Sequence, residues 1–102
     1  MKAILQTMEH QVLGEADNGN DAVKIFAELR PELVLLDLIM PGKNGLEVLE
    51  EIRAIDPAVK VIMVTAVQQD GIIQQLLDKG AVAVLHKPFS YSEFEEVLKR
   101  FR

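Results

Sequence analysis

One feature constrains this chain more than any other: short, wholly apolar runs alternate with longer segments whose apolar residues recur every three or four positions. The runs are LVLL (33–36), VIMVT (61–65) and AVAVL (81–85). Their unbroken apolarity predicts strands covered on both faces, as in a parallel sheet between helices. Ala22, Ile25, Phe26 and Leu29 share one helix face, which Pro31 stops. Val48, Leu49, Ile52 and Ile55 define a second helix ending before Pro57. Ile72, Ile73, Leu76 and Leu77 define a third, closed by Gly80. Ser90 opens a fourth, with Glu93 completing a capping box and Phe89 and Phe94 placed as a hydrophobic staple. Its inner face is Phe94, Val97, Leu98 and Phe101. Upstream, VLGEA (12–16) reads as a strand, and Asp17 to Asn20 as a turn in which Asn18 or Asn20 can cap a helix. Met1, Ile4, Leu5 and Met8 recur at helical spacing and predict a helix at the start.

Alternating strands and helices build an open α/β sheet, doubly wound and parallel, with helices on both faces. Four strands are visible. The 102 residues suit one domain, 1–102, with one core. The net charge of −5 argues against direct nucleic-acid binding, which needs clustered Lys and Arg. Two distant histidines and no cysteine leave nothing for a zinc site or a disulfide, and suit a cytoplasmic protein. Asp37 interrupts the longest apolar stretch, so no membrane span or membrane partner is expected.

In such sheets, ligands bind beyond the carboxyl ends of the strands. That rule selects Asp37 after LVLL, Thr65 at the end of VIMVT, and Lys87 just past AVAVL. Singly, each has an ordinary explanation: a turn carboxylate, a β-prone hydroxyl, a solvated loop charge. Together, at one edge, they point to phosphoryl chemistry. Asp37 would be the nucleophile, Thr65 would hydrogen-bond a phosphoryl oxygen, and Lys87 would stabilise the developing charge. Pro41, Gly42 and Gly45 fit a tight loop beside the nucleophile, and Lys87–Pro88 is a candidate cis bond.

GEADNG (14–19), PELVLLDLIMPGKNGLEVL (31–49), VIMVTA (61–66) and KGAVAVLHKPFS (79–90) carry a resemblance over nearly the whole chain. The sequence resembles the receiver domain of bacterial two-component response regulators, the CheY-like family. The resemblance implies a flavodoxin-like fold of strand order 2-1-3-4-5. It makes Asp37 the acceptor of a phosphoryl group from a sensor histidine kinase or phosphotransfer protein, Thr65 the switch hydroxyl, and Lys87 the phosphoryl-contacting lysine. Mg²⁺ would be held by Asp37 and the main-chain carbonyl of Ile39. Such a protein is not a conventional enzyme; its own chemistry is at most self-phosphorylation and dephosphorylation at Asp37.

Departures from the family pattern set further expectations. Family members begin with an apolar strand ending in two acidic residues, followed by a full helix. Here the sequence aligns from partway along that helix, so about fifteen residues, including the central strand, are expected to be missing. Mg²⁺ binding should then be weakened or lost. Val84 stands where the family has a switch aromatic, and Leu76 where a small residue is common. Were 12–17 to move into the central position, Asp17 would end beside Asp37, but Glu15 would then face a helix-covered surface. The alternative function is a phosphorylation-impaired receiver serving as a dimerisation or protein-interaction module. A flavin or nucleotide binder is disfavoured, because the 17–20 turn is too short and acidic for a phosphate loop. An empty central position would also expose two strand edges, which either close up as order 2-3-4-5 or draw in a second chain. A homodimer is the expected solution.

Overall fold

The computed structural model describes residues 3–6, 12–39, 41–66 and 69–100. In chain order these form β1 (Ala3–Gln6), β2 (Val12–Ala16), α1 (Gly19–Leu29), β3 (Leu33–Asp37), α2 (Gly45–Ile55), β4 (Lys60–Thr65), α3 (Asp70–Asp78), β5 (Ala83–His86) and α4 (Tyr91–Arg100). The α/β class expected from the alternation is present, and with it the flavodoxin-like fold that the resemblance implies. None of these helices is long and apolar enough to cross a membrane.

Local chemistry places the helix ends where the sequence put them. The side chain of Asn18, rather than Asn20, caps α1 by accepting from the Asp21 N–H at 2.9 Å. Asn44 caps α2 in the same way, accepting from the Glu47 N–H at 3.0 Å. Ser90 and Glu93 form the capping box of α4, and Phe89 stacks on Phe94 with ring centroids 5.9 Å apart. The last strand begins two residues later than its apolar run, because Ala81 and Val82 are spent on the turn out of α3 and on a bond from the Val82 N–H to the Val61 carbonyl.

The sheet order is β2-β1-β3-β4-β5. β3 pairs with β4, and β4 with β5, in parallel. The start of the chain departs from expectation. Residues 3–6 are not helical; they form the central strand, antiparallel to both β2 and β3. Ala3 aligns with Ala16 on one side and Leu36 on the other. The expected four visible strands are therefore five, and the central position is filled from the chain's own first residues. The reason is energetic: a short apolar segment gains one local hydrogen-bond ladder as a helix, but two ladders between β2 and β3. Met1 and Met8, the outer members of the helical spacing, lie outside the described residues, as does Phe101. Neither rearrangement considered above is adopted: the sheet does not close up, and 12–17 stays at the edge.

Two cores sandwich the sheet. On one side Val34, Leu36, Val61 and Met63 pack with Ala22 and Phe26 of α1, Val48, Leu49 and Ile52 of α2, and Leu76 of α3. Leu76 is fully enclosed there. On the other, Leu33, Leu35, Ile62, Val64 and Leu85 pack with Leu98 of α4. All five residues of β3 are buried, which is why its run is apolar throughout.

Two measurements check this architecture. A Cβ on Gly45 would lie 2.4 Å from the Asp37 carbonyl oxygen and 2.6 Å from the Leu38 Cα, both main-chain atoms that cannot rotate away. Gly45→Ala is expected to lower stability by about 1–3 kcal/mol in denaturant melts. Gly71→Ala, in a helix with open space around the new methyl, is expected to be neutral or to stabilise by about 0.4–1 kcal/mol. Because the chain's own β1 fills the sheet, the edge argument no longer requires a second copy. Light scattering should give the mass of one chain over a wide concentration range, and a mass rising with concentration would show exchange of 3–6 between copies.

Candidate functional site

β2, β3, β4 and β5 all run the same way, because β2 and β3 are each antiparallel to β1. Their carboxyl ends share one edge, where the sheet delivers the predicted residues. Asp37 is the last residue of β3 and only 5% exposed; Thr65 ends β4 at 2%. Lys87 follows β5, and its Nζ donates to both Asp37 carboxylate oxygens, at 2.9 and 2.8 Å. Of the three predicted groups, the structure thus brings Asp37 and Lys87 into direct contact. Thr65 joins them through the main chain, its carbonyl accepting from the Lys87 N–H at 2.8 Å. The Lys87–Pro88 bond is cis.

A carboxylate this buried is tolerable because an ammonium meets both its oxygens, a charge-assisted pair stronger than neutral hydrogen bonds. The lysine side chain is 39% exposed and the Asp37 side chain 7%, so the pair joins a buried acceptor to a half-solvated donor.

The loop after Asp37 turns back sharply. The Leu38 N–H donates to the Val64 carbonyl at 3.0 Å, and the Gly45 N–H to the Leu38 carbonyl at 2.6 Å. Gly42 adopts φ 78°, a left-handed conformation that favours glycine. Ile39 projects outward, 70% exposed, beside the carboxylate. Three supports here were not foreseen. The Gly19 N–H donates to the Pro41 carbonyl at 3.1 Å, and a Cβ on Gly19 would strike the Lys43 carbonyl oxygen at 2.4 Å. Lys43 binds Glu51 at 2.7 Å, pinning the loop to α2. An open concavity lined by Ala66, Lys87, Pro88 and Phe89 lies next to the pair. The glycine at a helix start was a readable hint of close approach; the eight-residue separation of Lys43 and Glu51 carried no signal.

Mg²⁺ requires near-octahedral oxygen ligation, with one or two carboxylates plus phosphate oxygens and waters. Among the described residues no group of three or more His, Asp or Glu side chains could hold a metal. Asp37 supplies one carboxylate, with both oxygens facing Lys87, and Ile39 can add a main-chain carbonyl. Asp17 emerges at the same edge after β2, but the β1 strand separates β2 from β3 by roughly 10 Å, twice the strand spacing. These residues do not make a built metal site.

The sequence matches the profile of the response regulator receiver domain over residues 1–99. The chain belongs to that family. This receiver domain is 40% identical to the chemotaxis protein CheY of Listeria monocytogenes over 100 residues, spanning 98% of this chain and 84% of the relative. It is 37% identical over 87 residues to sporulation initiation phosphotransferase F of Bacillus subtilis, spanning 85% and 70%. Among solved structures, the response regulator domain of Thermotoga maritima CheB superposes with TM-score 0.79 at 32% identity, covering 89% of this chain and 75% of that one. A CheX–CheY–BeF3–Mg²⁺ complex from Borrelia burgdorferi superposes with TM-score 0.84 at 26% identity, covering 90% and 71%. The receiver fold and family expected from the motifs are thereby established. The strand order β2-β1-β3-β4-β5 also reproduces the 2-1-3-4-5 order expected of that fold, with its central strand reversed.

Replacing Lys87 checks how the receiver's buried carboxylate is held. Lys87→Met leaves Asp37 buried with both Lys87 bonds gone, so stability should fall by about 1–3 kcal/mol at neutral pH. Adding Asp37→Asn to that variant should recover most of the loss in a thermal melt. An unchanged melting temperature in Lys87→Met would show that the pair does not stabilise the fold.

Proposed function

We propose that this receiver domain accepts a phosphoryl group on Asp37, from a histidine kinase or a phosphotransfer protein. The observation that carries the reading is the buried Asp37 carboxylate gripped by both oxygens from Lys87, at the carboxyl edge of the strands. A carboxylate oxygen of Asp37 attacks the phosphorus of the donor. With a phosphohistidine donor, the phosphorus–nitrogen bond breaks, the nitrogen keeps its electron pair, and an acyl phosphate forms on Asp37. Lys87 then transfers its hydrogen bonds from the carboxylate to the incoming phosphoryl oxygens, which its half-exposed side chain has room to do. The Thr65 hydroxyl, at the end of the neighbouring strand, donates to a further phosphoryl oxygen. Electrostatic stabilisation therefore rests on an ammonium and a hydroxyl.

A second reading follows from the single carboxylate. Receiver domains of this family typically bind Mg²⁺, and the described residues of this one offer no acidic cluster for it. The alternative is a receiver impaired in phosphorylation that acts through protein contacts.

Intact mass spectrometry after incubation with acetyl phosphate, with and without millimolar Mg²⁺, separates the two. The acceptor reading expects the mass gain of one phosphoryl group, abolished by Asp37→Asn, at a rate well below that of the Listeria CheY relative measured alongside. A gain that persists in Asp37→Asn would refute Asp37 as the acceptor. No gain under any condition, with a folded protein, would favour the interaction module.

A further inference from the structure

We propose that Asn44–Gly45 is a site of self-catalysed main-chain modification, at which Asn44 becomes aspartate or isoaspartate when the loop beside Asp37 opens. Two of the three asparagines in the chain precede glycine, as Asn18–Gly19 and Asn44–Gly45. Each pair starts a helix at the site edge, and the fold makes the same two demands on both. The asparagine caps its helix, accepting from the Asp21 N–H at 2.9 Å or the Glu47 N–H at 3.0 Å. The glycine makes a close main-chain approach. A Cβ would lie 2.4 Å from the Lys43 carbonyl oxygen at Gly19, and 2.4 Å from the Asp37 carbonyl oxygen at Gly45. Cap and close approach together give Asn-Gly, the dipeptide whose ring closure is least hindered, because glycine carries no side chain to obstruct its nitrogen.

The reaction needs only water. The glycine nitrogen gives its proton to solvent base and attacks the asparagine Cγ. The new C–N bond closes a five-membered imide, and the side-chain nitrogen takes up a proton and leaves as ammonia. Water then adds to one imide carbonyl and breaks that carbon's bond to nitrogen, which regains a proton. Cleavage at Cγ gives aspartate. Cleavage at the main-chain carbonyl gives isoaspartate, whose chain runs through Cγ and is one atom longer.

The closed fold opposes the first step at both pairs. Ring closure brings the glycine nitrogen over the asparagine side chain, whereas Asn18 and Asn44 are held extended at ψ 162° and 167°. The attacking nitrogens are also engaged: the Gly19 N–H donates to the Pro41 carbonyl at 3.1 Å, and the Gly45 N–H to the Leu38 carbonyl at 2.6 Å. Reaction therefore passes through local opening. What opening must break differs between the pairs. Asn18 is half-buried, and beyond its cap its Nδ2 donates to Asp17 Oδ1 and Asp21 Oδ2, both at 2.9 Å. Asn44 is exposed, and among the described residues its side chain makes only the cap bond. Its loop is restrained instead by the partly exposed Lys43–Glu51 ion pair at 2.7 Å. Asn44 therefore reacts first. Aspartate there keeps an oxygen for the Glu47 N–H. Isoaspartate lengthens the main chain just before Gly45, and so displaces it from its seat against the Asp37 carbonyl. The modification falls on the main chain beside Asp37, and its chemistry does not depend on the acceptor reading.

The test holds the whole chain at mildly alkaline pH, folded and in guanidinium chloride, and follows it by peptide mapping with mass spectrometry. Replacing the amide NH2 by OH raises the peptide mass, and chromatography separates aspartyl from isoaspartyl peptides. In guanidinium both pairs are expected to convert at comparable rates. In the folded chain Asn44 is expected to convert about ten- to a hundredfold more slowly, as the opening of an exposed loop dictates, with Asn18 slower again. Glu51→Gln, which removes the ion pair, should speed conversion of Asn44 by about two- to fivefold. Asn44→Ser keeps a capping oxygen and should give no product in that peptide. Absence of Asn44 product over a period that would reveal a hundredfold slowing would overturn the inference. So would Asn18 converting first, a folded rate equal to the unfolded one, or a rate unchanged by Glu51→Gln.

Discussion

The arrangement depends on continuity of hydrogen bonding across the middle of the sheet. β2 and β3 run the same way and lie two strand spacings apart, so whatever occupies the space between them must satisfy two rows of main-chain groups at once. Ala3–Gln6 does this from an antiparallel direction, in register from Ala3–Leu36 to Gln6–Leu33 on one side. On the other side the register slips once, between Leu5 and Gln6, as a bulge. The slip reconciles an inserted strand with a β2–β3 unit whose geometry is set by α1 and its packing on α2. Main-chain pairing tolerates either strand direction; that tolerance lets the sheet be completed from inside the chain.

The same logic explains which parts of the fold were legible. LVLLD could be read because burial on both faces leaves no polar position, and a terminal Asp then stands out against it. The caps at Asn18 and Ser90 could be read because their chemistry is local, and Asn44, which caps α2 in the same way, went unread. The first residues could not. Ile4, Leu5 and Met8 fit a helical spacing, and AILQ alone offers too few positions for a strand's alternation to show. Tertiary demand decided the matter, and it comes from pairing with both β2 and the more distant β3. Short segments are where such context overrides local pattern.

At the site, Asp37, Thr65 and Lys87 were legible because a topological rule, not a local motif, says where strand ends meet. What holds them was less so. Gly45, readable as part of a tight loop, approaches the Asp37 carbonyl as that loop requires, whereas Gly19, which approaches the Lys43 carbonyl, was not foreseen. The second is a contact between the start of α1 and the loop before α2, which only the folded sheet brings together. The Asp37–Lys87 geometry adds something residue identity alone does not: the lysine meets both carboxylate oxygens. Each oxygen accepts one bond from Lys87 and keeps a second lone pair.

The direction of β1 also bears on the chemistry. Four strands present their carboxyl ends at the site edge, whereas β1 presents its amino end there, at Ala3. A central strand running parallel to its neighbours would deliver to Asp37 the residues that follow it. A reversed one cannot. Acidic help for Asp37 from the described residues must therefore come from beyond the neighbouring strand, and Asp17, the carboxylate at that edge, lies a full strand further away. Among the described residues, Lys87 faces a single carboxylate. In a site built this way, the cation that meets Asp37 comes from the loop after β5, on the far side of β4, and not from the central strand beside it.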